Sequence, residues 1–239
     1  MSNLKISYAY YDQKAKDTIL FLHGWGCNKS FFTNYAVSET LYNSLLVDIP
    51  GFGQSSSLDA PLTLADFSEL IYNFILENQY KINFIIGHSF GGKVAVLLNE
   101  KLNAKYLILF APSIFHKRRG AFFWFKILIY KLLKNINLLK PLTNKMGSED
   151  YKVLSPTLKK TMSIVINENI TKNLKKIDYS VFLIFGVSDT ITPLYLGTKI
   201  KKYIKSSYLI KINGDHFAYL YNINLIKNII KELIKNEYY

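Results

Sequence analysis

"IIGHSFGG", residues 85–92, ends an apolar run on a serine hemmed in by glycines at positions 87, 91 and 92. The run itself, "INFIIG" (82–87), reads as a short buried strand, and "GGKVAVLLNEKL" (91–102) reads as a helix. Gly87-His88-Ser89-Phe90-Gly91 therefore fits G-x-S-x-G at a strand-to-helix turn. Such a turn forces the nucleophile's backbone into a costly φ/ψ region, and larger side chains two residues away would collide across it. It lifts the Ser89 hydroxyl above the strand end. It also sets the Phe90 N–H at a helix N-terminus, where developing negative charge is favoured.

The same rhythm extends outward on both sides. Strands are expected over 4–11 and 18–22, in "SLLVDIPGFG" (44–53), "AKYLILF" (104–110), "YSVFLIFG" (179–186) and "SSYLIKI" (206–212). Helices are expected in "LADFSELIYNFILEN" (64–78), capped by Thr63, in "LYLGTKIKKYI" (194–204) and in a terminal stretch over 217–236. Strands apolar throughout and alternating with amphipathic helices predict an α/β fold with a mostly parallel sheet covered on both faces. Function in such sheets gathers at the carboxyl ends of the strands. His23-Gly24, Asp48, Ser89, Asp189 and His216 fall there.

A serine hydroxyl needs a base to take its proton. Of four histidines, His216 in "INGDHFAYL" follows the last strand and is the candidate. His88 is read as packing, His23 as ordering the first loop, and His116 as a surface residue. Asp189 in "FGVSDTITP" is the candidate acid, giving the chain order Ser…Asp…His. Asp215 adjoins His216 too closely to present its carboxylate to that ring, and Asp48 is read as a loop-ordering residue. In "LFLHGWG" (20–26) the N–H of Trp25 is the candidate second oxyanion donor beside Phe90, and its indole a wall of the acyl pocket. Cys27, the single cysteine, is read as a bystander; one cysteine excludes an intrachain disulfide and a multi-cysteine metal site.

The segment 113–172 breaks the rhythm. It holds twelve Lys/Arg against Glu149, Asp150 and Glu168, nine of the chain's net charge of +13. It is expected to be a basic helical cap inserted between core segments 1–112 and 173–239. Its charge suits an acidic partner or an anionic surface. The stretch 121–140 mixes aromatics, leucines and lysines; a cap helix over the site is preferred to an interfacial membrane helix. Nucleic acid has only charge in its favour. No apolar run approaches the ~18 residues of a spanning helix, and the first residues lack a signal peptide's h-region, so a cytoplasmic location is expected.

"FLHGWGCN", "DIPGFGQSS", "GHSFGGKVA", "FGVSDTITP" and "GDHFAYL" together resemble, in order, the motif series of the α/β-hydrolase superfamily. "HGWG" with "VDIPGFGQS" most resembles the esterases of biotin synthesis that hydrolyse the methyl ester of pimeloyl-acyl-carrier protein. The resemblance implies Ser89 as nucleophile, His216 as base, Asp189 as orienting acid, and Trp25 and Phe90 as oxyanion donors, with no metal or organic cofactor. It also implies an acyl-carrier-protein partner held by the basic cap, for which Lys117, Arg118 and Arg119 are candidate contacts. The competing expectations are a small-molecule carboxylesterase or thioesterase, a carbon–carbon bond hydrolase, and a membrane-surface lipase.

Overall fold

The computed structural model of the chain describes residues 4–36, 42–115 and 154–235. Among these, β1 (Tyr8–Tyr11), β2 (Thr18–Leu22), β3 (Asn43–Val47), β4 (Phe84–His88), β5 (Tyr106–Phe110), β6 (Ser180–Gly186) and β7 (Ser207–Ile212) form one sheet in the order β1-β3-β2-β4-β5-β6-β7. Only β1 is antiparallel to its neighbour; every other pairing is parallel.

The sheet is apolar on both faces because both are covered. Leu20, Leu22, Ile85, Leu107 and Leu109 point to one face, where α2 (Leu64–Glu77) and α3 (Phe90–Leu102) bring Phe67, Ile71, Val94 and Leu98. The alternate residues Ile19, Phe21, Phe84, Ile86 and Ile108 meet the other face. There α1 (Thr33–Ala36) supplies Tyr35, and the C-terminal helices supply Tyr219, Ile226 and Ile230. Each fully buried large apolar side chain contributes about 1.5–3 kcal/mol. Phe110 and Tyr219 stack with ring centroids 4.9 Å apart, and the Tyr35 hydroxyl donates to the Tyr219 carbonyl at 2.6 Å.

Thr63 caps α2 as expected: its hydroxyl accepts from the Asp66 N–H, and the Asp66 carboxylate accepts from the Thr63 N–H. The expected single terminal helix is instead two, α7 (Ala218–Tyr221) and α8 (Ile223–Lys235), separated by Asn222. The Asn222 amide donates to the carbonyl of Ala218, which a continuous helix would have paired with a backbone N–H, and to that of Asn213 in the loop after β7. Between β5 and β6 the described residues include α4 (Pro156–Asn167) and α5 (Thr171–Lys175), and between β6 and β7 lies α6 (Leu194–Lys201).

The strand order reverses at β2. From β2 the chain moves outward to β3, then returns to the other side of β2 for β4. The loops leaving β2 and β4 therefore diverge, and a crevice opens between them at the carboxyl ends.

Candidate active site

Ser89 stands at this switch point, between β4 and α3, with φ +50° and ψ −112°. A non-glycine residue there stores about 1–3 kcal/mol of strain. Surrounding bonds hold it. The Ser89 N–H donates to the Phe110 carbonyl at 2.9 Å, and the Ser89 carbonyl accepts from Ser113 and Lys93 N–H groups at 3.0 and 3.2 Å. The flanking glycines are explained by contact. A Cβ on Gly87 would lie 2.7 Å from the Gly92 Cα, and one on Gly91 would lie 2.4 Å from the carbonyl oxygens of both Leu22 and His23. Any side chain at Gly91 would push α3 off β2.

The β2 loop is fixed by His23. Its Nδ1–H donates to the Gly24 carbonyl at 2.8 Å, while its Nε2 accepts from the Ile49 N–H at 2.9 Å. Burial holds this ring neutral, with its pKa pushed down to about 4. Beyond it, Trp25 packs edge-on against Phe52 and Phe90, with centroids 4.8 and 5.1 Å away. Asp48 orders the neighbouring turn: it accepts from the Lys29 ammonium at 2.7 Å, the Lys29 N–H at 2.6 Å and the Gln54 N–H at 2.9 Å. The Cys27 thiol is buried, which pushes its pKa up to about 11. It is a poor nucleophile there.

Asp189 and His216, from the loops after β6 and β7, meet at a distance of 2.8 Å between Oδ2 and Nδ1. Both are buried, at 5% and 7% exposure. Asp189 Oδ1 accepts from the N–H groups of Ile191 and Thr192, each at 2.8 Å, and Oδ2 also accepts from the Thr192 hydroxyl at 2.8 Å. Burial alone would raise the carboxyl's pKa, but the bonds from His216 and Thr192 outweigh it and hold Asp189 below the ordinary range. With acceptors at Nδ1, the ring proton sits there and Nε2 is left as the basic nitrogen. Asp215 is turned elsewhere: its carboxylate accepts from the Phe217 N–H at 2.8 Å.

His88 lies behind this pair. Its Nε2 donates to the His216 carbonyl at 3.1 Å, its ring packs on those of His216 and Tyr219, and burial and then the neighbouring His216 lower its pKa to about 3.

Ser89 opens on a cavity of about 200 Å³ lined by Trp25, Phe90, Lys93, Ser113, Met162, Val165, Ile166 and Ile191. The lining is mostly apolar, and the volume is below the ~300–1,000 Å³ of sites for drug-sized ligands. Among the described residues, no cluster of three or more His, Cys, Asp or Glu side chains could hold a metal ion, and no helix is long and apolar enough to cross a membrane. His116 and the candidate partner contacts Lys117, Arg118 and Arg119 lie outside the described residues.

Two residues at this site were not singled out by the sequence. Thr192 touches both Asp189 and His216, at 2.8 and 3.1 Å; its place three residues after an aspartate was the only signal. Lys93 is 1% exposed beside the cavity. A lysine inside the apolar run 92–98 was its signal.

The model of the family described as "Alpha/beta hydrolase family" matches residues 19–156. A pimeloyl-[acyl-carrier protein] methyl ester esterase of Wigglesworthia glossinidia brevipalpis is 27% identical over 91% of this chain and 93% of its own. A putative esterase/lipase of Mycoplasma genitalium is 34% identical over 44% of this chain, and the match spans only 41% of that relative's length. A solved lipase-esterase related protein of Clostridium acetobutylicum superposes with a TM-score of 0.70 at 25% identity, covering 95% of this chain and 98% of that one. With its seven-stranded, mostly parallel sheet and the matched span of 19–156, the chain belongs to the alpha/beta hydrolase family.

Proposed function

We propose that the chain is a serine carboxylesterase acting on an acyl ester tethered to acyl carrier protein, the methyl ester of pimeloyl-acyl-carrier protein being the favoured substrate. The observation that carries the catalytic part is the buried 2.8 Å contact between His216 Nδ1 and Asp189 Oδ2, at the same end of the sheet as the strained Ser89. His216 Nε2 takes the Ser89 proton as Oγ attacks the ester carbonyl carbon. The N–H groups of Phe90 and Trp25 receive the developing oxyanion. The bond to the methoxy oxygen then breaks, and His216 returns the proton to the departing methanol. Water, deprotonated by His216, cleaves the acyl-serine, and Ser89 regains its proton.

The carrier part of the reading rests on charge and on kinship. The segment 113–172 acts as a cap whose surplus of basic residues steers an acidic carrier protein. Lys117, Arg118 and Arg119 are its contacts. The Wigglesworthia relative, matched over nearly its whole length, bears the activity in its name. The apolar 200 Å³ cavity favours a second reading, a carboxylesterase of small free esters.

Hydrolysis of the carrier-bound methyl ester and of free pimelate methyl ester, by wild type and Ser89→Ala, separates these readings. Serine-dependent turnover of the carrier-bound ester in strong preference to the free one is expected. Equal turnover of both assigns the small-ester function, and Ser89-independent turnover removes the triad.

A further inference from the structure

The lysine beside the nucleophile is the group that the proposed chemistry does not use. Lys93 sits one turn into α3, four residues after Ser89, and its side chain is enclosed. Its ammonium donates to the Val165 carbonyl at 2.7 Å and to the Glu168 carbonyl at 2.8 Å. These are at the C-terminal end of α4, where orphan carbonyls and the negative end of the helix dipole favour a cation. Two further bonds hold the same helix to the core. The Leu62 N–H donates to the Thr161 hydroxyl at 3.2 Å, and the Leu64 N–H, at the start of α2, donates to the Glu168 carboxylate at 2.9 Å.

Met162, Val165 and Ile166 of α4 line the cavity into which Ser89 opens, together with Trp25 and Phe90. The ammonium thus bonds the backbone of Val165 in the cavity lining and of Glu168 just beyond it, while its own helix begins beside Ser89. We propose that Lys93 is a positioning residue for acyl-chain selection: it holds the Met162–Ile166 wall at a fixed distance from Ser89 and so sets which chain lengths fill the pocket. The inference rests on the esterase reading of Ser89.

Energetics argue that this lysine is kept for something other than stability. Burial pushes its pKa down to about 8, so the charged form is disfavoured in the folded chain, and the attraction of Glu168 offsets only part of that. A buried cation with an apolar near-isostere available is weak evidence for stability. Lys93→Met is therefore expected to fold, losing two bonds to carbonyls but relieving a desolvated charge.

The test is the hydrolysis of p-nitrophenyl esters from acetate to decanoate by wild type, Lys93→Met, Ile166→Ala and the double variant, each checked by its thermal transition. Acetate, the shortest acyl group of the series, serves as the reference. In Lys93→Met the ratio of kcat/KM for the best medium-chain ester to that for acetate should fall about tenfold, the low end of what losing hydrogen bonds to a charged group costs. The shift should lie in KM more than in kcat. Ile166→Ala should lower the same ratio, and the double variant should fall short of the product of the two effects, because both act through one wall. An equal loss for every chain length, or an unchanged ratio in a folded Lys93→Met, would overturn the proposal. Should Lys93→Met fail to fold, Ile166→Ala decides: an unchanged ratio there overturns the proposal as well. Wild-type hydrolysis that survives Ser89→Ala would instead remove the esterase reading beneath it.

Discussion

The rings of His88 and His216 pack with centroids 4.7 Å apart, and His88 donates its Nε2–H to the His216 backbone carbonyl. The residue next to the elbow serine therefore props the loop that carries His216. His88 and His23 are both buried neutral, lowered from an ordinary 6.5 to about 3 and about 4. In the unfolded chain each regains its ordinary affinity for a proton. Their contribution to stability is complete above pH 6.5 and is lost as pH falls toward about 4 for His23 and about 3 for His88. Each costs about 1.4 kcal/mol per pH unit in that window. Asp189, depressed from 3.8, acts in the same direction at lower pH. Urea unfolding at pH 7, 6 and 5 should show this decline, and His88→Leu should make it shallower. A stability constant from pH 7 to 5 would contradict the assignment.

Thr192 makes a separate prediction. Its hydroxyl donates to Asp189 Oδ2 at 2.8 Å and lies 3.1 Å from His216 Nδ1. Thr192→Val keeps the shape and removes the bond. A hydrogen bond to a charged group is worth about 1.5–3 kcal/mol, so kcat should fall by roughly ten- to a hundredfold with KM little changed. Thr192→Ser should recover most of the loss. A folded Thr192→Val with wild-type kcat would show that Asp189 alone orients the ring.

The glycines of the elbow predict a packing failure. In Gly91→Ala the new Cβ would lie 2.4 Å from two backbone oxygens of β2 and its loop, and backbone cannot swing aside as a side chain can. Overpacking of this kind costs about 1–3 kcal/mol or more. The variant should melt well below wild type or fail to accumulate folded. An unchanged melting temperature would mean that α3 has freedom to slide.

What was legible in the sequence was local. The apolar strands announce a sheet buried on both faces, and the glycines around Ser89 announce the turn, because each constraint acts within a few residues. The break at Asn222 was not legible, since it depends on a bond to the carbonyl of Asn213, nine residues upstream. Lys93 was hidden for the same reason: its acceptors, Val165 and Glu168, are 72 and 75 residues away. Asp189 and His216 could be named as acid and base from their places at strand ends; that the carboxylate is bound four times over, with Thr192 giving two of the bonds, required the fold.

The proposed catalysis turns on Ser89 being an activated nucleophile. Labelling with a fluorophosphonate and locating the adduct by peptide mass spectrometry tests this without knowledge of the natural substrate. One adduct on Ser89, absent from Ser89→Ala and formed far more slowly in His216→Ala, is the predicted result. No adduct on the folded wild type, or an equal rate in His216→Ala, would contradict it.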